Sequence, residues 1–247
     1  MAAPTPDHHA LGNLPEPRWG MGDALVGWVI AYSSAVLLGT LFLALAGYSA
    51  DDVAAGDLPL SAVALQYPPL WLGFIGVPVF VAATKGNGWI LDFRMKVAAI
   101  DVPVAAVVGV LTQLVVVPLV SWPMLWLTNT SIDDLGAPAR ELADKATDNV
   151  GAILFLVIVG LGAPIAEEIF FRGLLLRAME KTFGTKVAVV GSSLAFAATH
   201  FQFIQFPALF MAGLVFALLV VRTGRLGAAI IGHMAFNLVT AVALLWL

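Results

Sequence analysis

Two adjacent glutamates, Glu167 and Glu168, stand in an otherwise apolar stretch that is long enough to cross a bilayer, residues 151–171. A charged side chain at the centre of a membrane helix costs about 2.5–3.5 kcal/mol on insertion scales, so two of them indicate a functional site. Adjacent residues on a helix diverge by about 100°, and we therefore expect the two carboxylates to have different roles. Glu168 precedes Arg172 by four positions, which predicts an i,i+4 ion pair and leaves Glu167 free to face a cavity.

Two histidines, His200 and His233, also fall in apolar stretches. Counted from the flanking basic residues at about 1.5 Å per residue, Glu167, His200 and His233 lie roughly 15, 21 and 12 Å deep, near the middle of a core about 30 Å thick. Asn237 is one helical turn beyond His233 and shares its face. The agreement in depth predicts one site, and not a set of polar groups that are each satisfied separately by a neighbouring helix.

These side chains are of the types that amide hydrolysis needs. A carboxylate and an imidazole around one water can remove its proton, which makes a nucleophile without Ser or Cys. A second imidazole and an amide NH₂ can donate hydrogen bonds to the developing oxyanion. Two alternatives stay open on the residues alone. Glu167, His200 and His233 also form a plausible set of three zinc ligands, although no His-Glu-x-x-His motif occurs. Carboxylates and histidines in membrane helices also mark proton relays in transporters.

The composition predicts the elements that hold these residues. Of 247 residues, 60% are hydrophobic and 11% are charged, whereas soluble domains have about 25% charged residues. The prediction is an all-α, polytopic transmembrane helix bundle of about seven spans. The nearly charge-free stretches are residues 24–47, 58–84, 102–127, 150–171, 187–221 and 226–247.

One of these stretches, residues 187–221, is too long for a single span. As one helix it would extend roughly 52 Å, against a core about 30 Å thick. We predict two short spans that break near Phe206-Pro207. In the glutamate helix, Pro164 lacks a backbone donor and predicts a kink beside the carboxylates.

The chain divides into four parts by composition. The first part is rich in proline, carries His8 and His9, and predicts a flexible tail. On the predicted topology, nine Lys and Arg residues lie on the side of the N-terminus and two on the other side, which predicts a cytoplasmic N-terminus. The parts are a cytoplasmic tail (1–23), N-terminal transmembrane helices (24–127), a polar outer connection (128–149) and a C-terminal catalytic helix bundle (150–247).

Some functional classes are excluded or disfavoured. The chain contains no cysteine, so it has no disulfide, no thiolate nucleophile and no thiolate metal ligand of its own. The net charge is −4, and the basic loops are ordinary topology signals, which predicts no nucleic-acid partner.

The polar residues of the C-terminal half form three short motifs in order along the chain. They are Glu-Glu-x-x-x-Arg at Glu167, Glu168 and Arg172, then Phe-x-x-x-His at Phe196 and His200, then His-x-x-x-Asn at His233 and Asn237. This order resembles the CPBP intramembrane protease family, which includes the type II CAAX prenyl endopeptidases and bacterial Abi-type proteins. The resemblance covers the chain from about residue 150 to the end.

The resemblance implies a role for each motif residue. Glu167 and His200 would activate the water, and His233 and Asn237 would stabilise the oxyanion. The supporting residues would be Glu168 and Arg172, which hold the site together. Phe196 is a further supporting candidate, because its position one turn before His200 would let it shape the pocket; ordinary packing, in a chain with 15 phenylalanines, is the alternative. The resemblance favours a mechanism without a cofactor, but family members are also called metalloproteases. A divalent metal such as zinc on Glu167, His200 and His233 therefore stays the alternative.

We accordingly predict a hydrolase, an intramembrane endopeptidase that cuts membrane-associated or lipid-anchored proteins or peptides. Its partners are such a substrate and the lipid bilayer, with no nucleic acid; the oligomeric state is left open. A short Ala- and Val-rich chain without an organelle signal predicts a multi-pass protein of a bacterial plasma membrane. The alternative is a non-catalytic membrane scaffold, or a transporter-like or immunity protein, that keeps the fold.

Overall fold

The computed structural model describes residues 14–246, apart from the side chains of Ile132 and Asp133. All regular structure in this part of the chain is helical, and six helices are long and apolar enough to cross a membrane. Together with a shorter apolar helix, they confirm the predicted polytopic helix bundle. The six are α1 (Met21–Leu45), α2 (Leu60–Lys85), α3 (Asp101–Thr128), α5 (Asn149–Phe183), α7 (Phe206–Thr223) and α8 (Leu226–Trp246). The shorter apolar helix is α6 (Thr185–Ala198), α4 (Ile132–Asp144) lies in the polar connection, and short helices span Ala50–Ala55 and Trp89–Asp92.

The long apolar stretch 187–221 is broken as predicted. Helix α6 ends at Ala198, and α7 begins at Phe206 with Pro207 in its first turn, where the missing N–H has no helical partner to lose. His200 comes two residues after the end of α6. It therefore lies in the turn that joins the two helices, and not within the span where hydropathy placed it.

Three transmembrane helices contain a π-helical segment that ends two residues before a proline. The pairs are Leu72–Gly76 with Pro78, Thr112–Val116 with Pro118, and Leu156–Gly162 with Pro164. A proline ring collides with the carbonyl four residues earlier, which in each case lies inside the segment, and a wider turn relieves that collision. The distortion that the sequence predicts at Pro164 thus takes the form of a π-helical segment. A further such segment, Ile169–Leu175, has no proline and carries Arg172.

Helices α3 and α8 touch backbone to backbone. A Cβ atom added to Gly109 would collide with the carbonyl oxygen of Gly232. This approach therefore requires glycine, as close helix crossings in lipid commonly do. Because Gly232 immediately precedes His233, the N-terminal half sets the position of the helix that carries this histidine.

The start of α8 is held by residues at and before the start of α3. Arg225 donates from Nε and Nη2 to the two carboxylate oxygens of Asp101, both at 2.6 Å. The Leu226 amide, which has no partner within its helix, donates to the Arg94 carbonyl at 3.0 Å. The α8 end of the connection between α7 and α8 is thus tied to the N-terminal half.

Part of the predicted flexible tail is packed against the bundle. Residues 1–13, with His8 and His9, lie outside the described residues. Trp19 is only 3% exposed, and its indole Nε1 donates to Asp92 Oδ2 at 2.8 Å. Burial of this large ring stabilises the end of the segment, an effect that a count of prolines and charges does not detect.

Candidate active site

Four helical regions bring the polar residues of the C-terminal half together. Helix α5 carries Glu167 and Glu168 in a short α-helical stretch, Ala163–Glu168, between two π-helical segments. The turn after α6 carries His200, and α8 carries His233 and Asn237. Helix α7 contributes an aromatic ring and a backbone carbonyl.

Glu168 is the buried centre of the site. Its Oε1 accepts a hydrogen bond from Arg172 Nη1 at 2.8 Å and contacts His233 Nδ1, also at 2.8 Å. The predicted i,i+4 ion pair with Arg172 is confirmed, and both side chains are completely buried. The contact with His233 adds a second task, because Glu168 now also orients an imidazole.

The guanidinium of Arg172 is enclosed by hydrogen bonds and aromatic faces. Its Nη2 donates to the Gly213 carbonyl of α7 at 2.9 Å. Its central carbon lies 4.5 Å from the ring centre of Phe196 and 5.6 Å from that of Phe216. A buried ion pair must be compensated by such contacts, because both charges have left water.

His233 is fixed on two sides. Its ring stacks on Phe216, with the ring centres 4.6 Å apart and the planes 20° from parallel. Since the Glu168 carboxylate only accepts hydrogen bonds, Nδ1 carries the proton, and in the neutral ring Nε2 keeps its lone pair. Nε2 lies 3.8 Å from Glu167 Oε2. That separation is too long for a direct hydrogen bond but lets one water contact both atoms.

Glu167 differs from its neighbour in exposure. Its side chain is 19% exposed, whereas that of Glu168 is 0% exposed. The difference agrees with the prediction that the two carboxylates face different ways. Glu167 is therefore the carboxylate that a water or a substrate can reach.

His200 is oriented by the last turn of α6. Its Nδ1 lies 2.7 Å from the Phe196 carbonyl oxygen, an acceptor only, so the proton is on Nδ1 and the lone pair on Nε2. The Phe196 ring contacts both imidazoles, with ring centres 4.8 Å from His200 and 5.7 Å from His233. Within residues 14–246, no hydrogen bond or ion pair joins His200 to Glu167. The contact of Glu167 that the structure contains is with His233.

Asn237 is engaged with the distorted part of α5. Its Nδ2 donates to the Val159 carbonyl at 2.8 Å, and Val159 lies within the π-helical segment Leu156–Gly162. An amide NH₂ has two hydrogens, so one remains for another acceptor.

Residues 149–239 match the family described as type II CAAX prenyl endopeptidase Rce1-like. Over these residues, the chain is similar to this family. The resemblance to CPBP proteases is thereby confirmed, and the match includes every site residue from Glu167 to Asn237. Helices α1 to α4 lie outside it. No curated protein and no solved structure matches the chain.

The zinc set that the sequence allows is Glu167, His200 and His233. Among the described residues, no three His, Asp or Glu side chains are arranged as a metal site. The Nδ1 atoms of both histidines are engaged, by Glu168 and by the Phe196 carbonyl, which leaves both Nε2 atoms with a lone pair. These contacts are compatible with a metal on Nε2, but the three residues are not brought together as one metal site, so no step proposed below uses a metal. Whether the enzyme needs a metal stays a prediction.

Sequence reasoning missed several groups of this candidate site. Phe216 is one of 15 phenylalanines, and nothing in its apolar span distinguishes it from a packing residue. The carbonyls of Gly213 and Val159 carry no side-chain signal at all. The bond from Glu168 to His233 spans 65 positions and depends on how α5 and α8 rotate against each other.

Proposed function

We propose that this protein is a CAAX-type intramembrane endopeptidase that hydrolyses peptide bonds with a water activated by Glu167. One observation carries the proposal: a partly exposed carboxylate faces His233 Nε2 at 3.8 Å, and that imidazole is fixed by the buried Glu168–Arg172 pair. A base must be within reach of the proton that it removes and must be held in place.

The first half of the reaction is addition of water to the scissile carbonyl. Glu167 takes a proton from the water while the oxygen forms a bond to the carbonyl carbon, and the carbonyl electrons move to its oxygen. The lone pair on His200 Nε2 is a second acceptor for this water. The oxyanion is then stabilised by the free N–H of Asn237 and by His233, which for this role is doubly protonated before the step, donates a hydrogen bond from Nε2 and keeps both protons throughout.

The second half is collapse of the tetrahedral intermediate. The C–N bond breaks, and the proton held by Glu167 passes to the leaving amine. The products are a new carboxyl terminus and a new amino terminus, and Glu167 returns to its starting state. This sequence needs neither a covalent enzyme intermediate nor a cofactor.

We propose membrane-associated or lipid-anchored proteins or peptides as substrates, and a bacterial plasma membrane as the location. The family and the six apolar helices establish an integral membrane protein. The substrate class is supported by the predicted membrane depth of the site, since a soluble peptide would have to enter the bundle from water.

The test is cleavage of a mixture of membrane proteins by purified, reconstituted enzyme, with new termini identified by mass spectrometry. Wild type is compared with Glu167→Gln and with Glu141→Gln, which changes an exposed glutamate of α4. We expect the same new termini from wild type and Glu141→Gln, and none from Glu167→Gln. New termini from Glu167→Gln would contradict the mechanism. None from folded wild type would favour the scaffold alternative.

A further inference from the structure

The end of α6 leaves backbone carbonyls that need partners. The last carbonyls of a helix have no donor within it, and in the hydrocarbon region water does not supply one. The Phe196 carbonyl is bonded by Thr199 Oγ1 and His200 Nδ1. The carbonyls of Ala197 and Ala198 accept hydrogen bonds from the backbone amides three residues later, those of His200 and Phe201. The Thr199 carbonyl is then the remaining carbonyl of this turn to be satisfied before the chain leaves the helix.

A tyrosine from the N-terminal half satisfies it. The Tyr32 hydroxyl on α1 donates to the Thr199 carbonyl at 2.6 Å, across 167 positions of sequence. The Tyr32 ring also meets the rings of Phe74 and Phe201 edge to face, at 6.1 and 5.7 Å. These contacts fix the ring itself, so the hydroxyl is held in one place.

The backbone beside this hydrogen bond is strained. Phe201 has φ of +55°, in the left-handed region that bulky residues rarely adopt. Strained residues persist where the surroundings determine them, and they cluster at functional sites. Here the strain directly follows His200, and the Tyr32 ring packs against the strained residue.

We propose that Tyr32 is a positioning residue for His200. The Thr199 carbonyl and the His200 nitrogen belong to the same peptide group. The hydrogen bond from the Tyr32 hydroxyl therefore fixes the plane of this peptide, and with it the direction in which the His200 side chain leaves the backbone. The Phe196 carbonyl fixes Nδ1 of the ring, and together the two contacts determine where Nε2 is directed. The proposal rests on the proposed function for its catalytic consequence. It places a residue outside the matched region 149–239 in the machinery of the site.

The test uses Tyr32→Phe, which removes one hydroxyl and keeps the aromatic contacts. Tyr48→Phe is the matched control, since no side-chain hydrogen bond of the Tyr48 hydroxyl occurs among the described residues. With only four histidines in the chain, histidine-selective ¹⁵N labelling lets the ring resonances be observed, and His200→Gln assigns them. We expect Tyr32→Phe to shift the His200 ring resonances and to leave those of His233 in place. Tyr48→Phe should change neither.

The kinetic readout is separate from the spectroscopic one. We expect Tyr32→Phe to lower kcat about three- to tenfold at unchanged KM, and to lower the thermal midpoint modestly because the Thr199 carbonyl loses its partner. Unchanged His200 resonances overturn the proposal whatever the rate, as does an equal shift of both histidines with a lowered midpoint. A His200 shift without a fall in kcat, in active enzyme, also contradicts it. If wild type shows no proteolysis but His200 still shifts, the positioning stands and the proposed function fails.

Discussion

The adjacent carboxylates of Glu167 and Glu168 have different surroundings because neighbouring side chains on a helix point in different directions. Glu168 points into the bundle, where it neutralises Arg172 and orients His233. Glu167 points to the partly open side and faces the free nitrogen of the same imidazole. In the proposed mechanism the chemistry therefore depends on Glu167, and the geometry of the site depends on Glu168.

Arg172 serves Glu168 through its shape as well as its charge. A guanidinium donates to Glu168 and to the Gly213 carbonyl at once and stacks on Phe196, whereas an ammonium cannot reproduce this fork. We expect Arg172→Lys to lower the free energy of unfolding by about 1.5–3 kcal/mol, the cost of a lost charged hydrogen bond. The measurement is denaturant unfolding of the purified protein in detergent micelles.

The matched control for that variant is Arg222→Lys on the exposed end of α7. A surface change of this kind should stay within about 0.5 kcal/mol of wild type. Equal stability of the two variants would contradict the role given to the guanidinium.

At the scale of elements, the site lies where α5 is distorted and α8 is held firmly. The π-helical segment before Pro164 contains the Val159 carbonyl, and Asn237 of α8 bonds that carbonyl. On its other side, α8 crosses α3 so closely that no side chain fits between Gly109 of α3 and Gly232 of α8. The position of His233 is therefore set by two helices from different halves of the chain.

The close approach of α3 and α8 should make both stability and activity sensitive to a side chain at Gly109. Gly109→Ala places a methyl group against the Gly232 backbone and must push the helices apart, which we expect to cost about 1–3 kcal/mol. Because His233 follows Gly232, kcat should fall as well. Both effects are measured by unfolding and by cleavage kinetics of purified protein.

Gly136→Ala on α4 is the control for added bulk. A Cβ atom there meets only the far end of the Arg140 side chain, at 3.8 Å. Since alanine favours a helix by about 1 kcal/mol over glycine, this variant should be at least as stable as wild type. If Gly109→Ala behaved in the same way, the close crossing would not matter.

The sequence predicted those features that depend on spacing along one helix. These features are the Glu168–Arg172 pair, the separate orientation of Glu167 and the break of the apolar stretch between α6 and α7. Depth in the membrane is estimated by counting residues at a fixed rise and stays a prediction. Rotation between helices does not follow from spacing along the chain, since it depends on packing of many side chains. That is why the link of Glu168 to His233 and the stacking of Phe216 on this ring could not be predicted.

At the scale of the whole molecule, the contacts that hold the site extend beyond the part of the chain that matches the family. Residues 149–239 hold the motifs, yet Asp101 binds Arg225 and Tyr32 binds the turn that carries His200. The N-terminal helices are therefore part of the support of the site. Their sequence carries no motif because backbone contacts and single hydrogen bonds leave little trace in residue type.

The predicted orientation in the membrane can be tested because the chain has no cysteine to remove. We expect Glu141→Cys, on α4, to react with a membrane-impermeant maleimide on intact cells, since the positive-inside rule puts this connection outside. Lys186→Cys, at the start of α6, should react only after permeabilisation. Both positions are exposed. The opposite labelling pattern would invert the topology.

Metal dependence is tested on the purified enzyme with a chelator. Because the three candidate ligands are not arranged as a metal site, we expect kcat/KM to be unchanged after dialysis against chelator. A loss of activity that returns with added zinc, but not with magnesium, would instead assign Glu167, His200 and His233 as ligands.

The most direct test of the central claim compares Glu167→Gln with Glu168→Gln in one preparation, with kcat and the free energy of unfolding measured for both. Loss of a general base should lower kcat by about 10²–10⁴-fold in Glu167→Gln at wild-type stability. Glu168→Gln leaves Arg172 without its counter-charge and should lose about 3–5 kcal/mol of stability. Full activity in Glu167→Gln, or wild-type stability in Glu168→Gln, would contradict the division of roles between the two carboxylates.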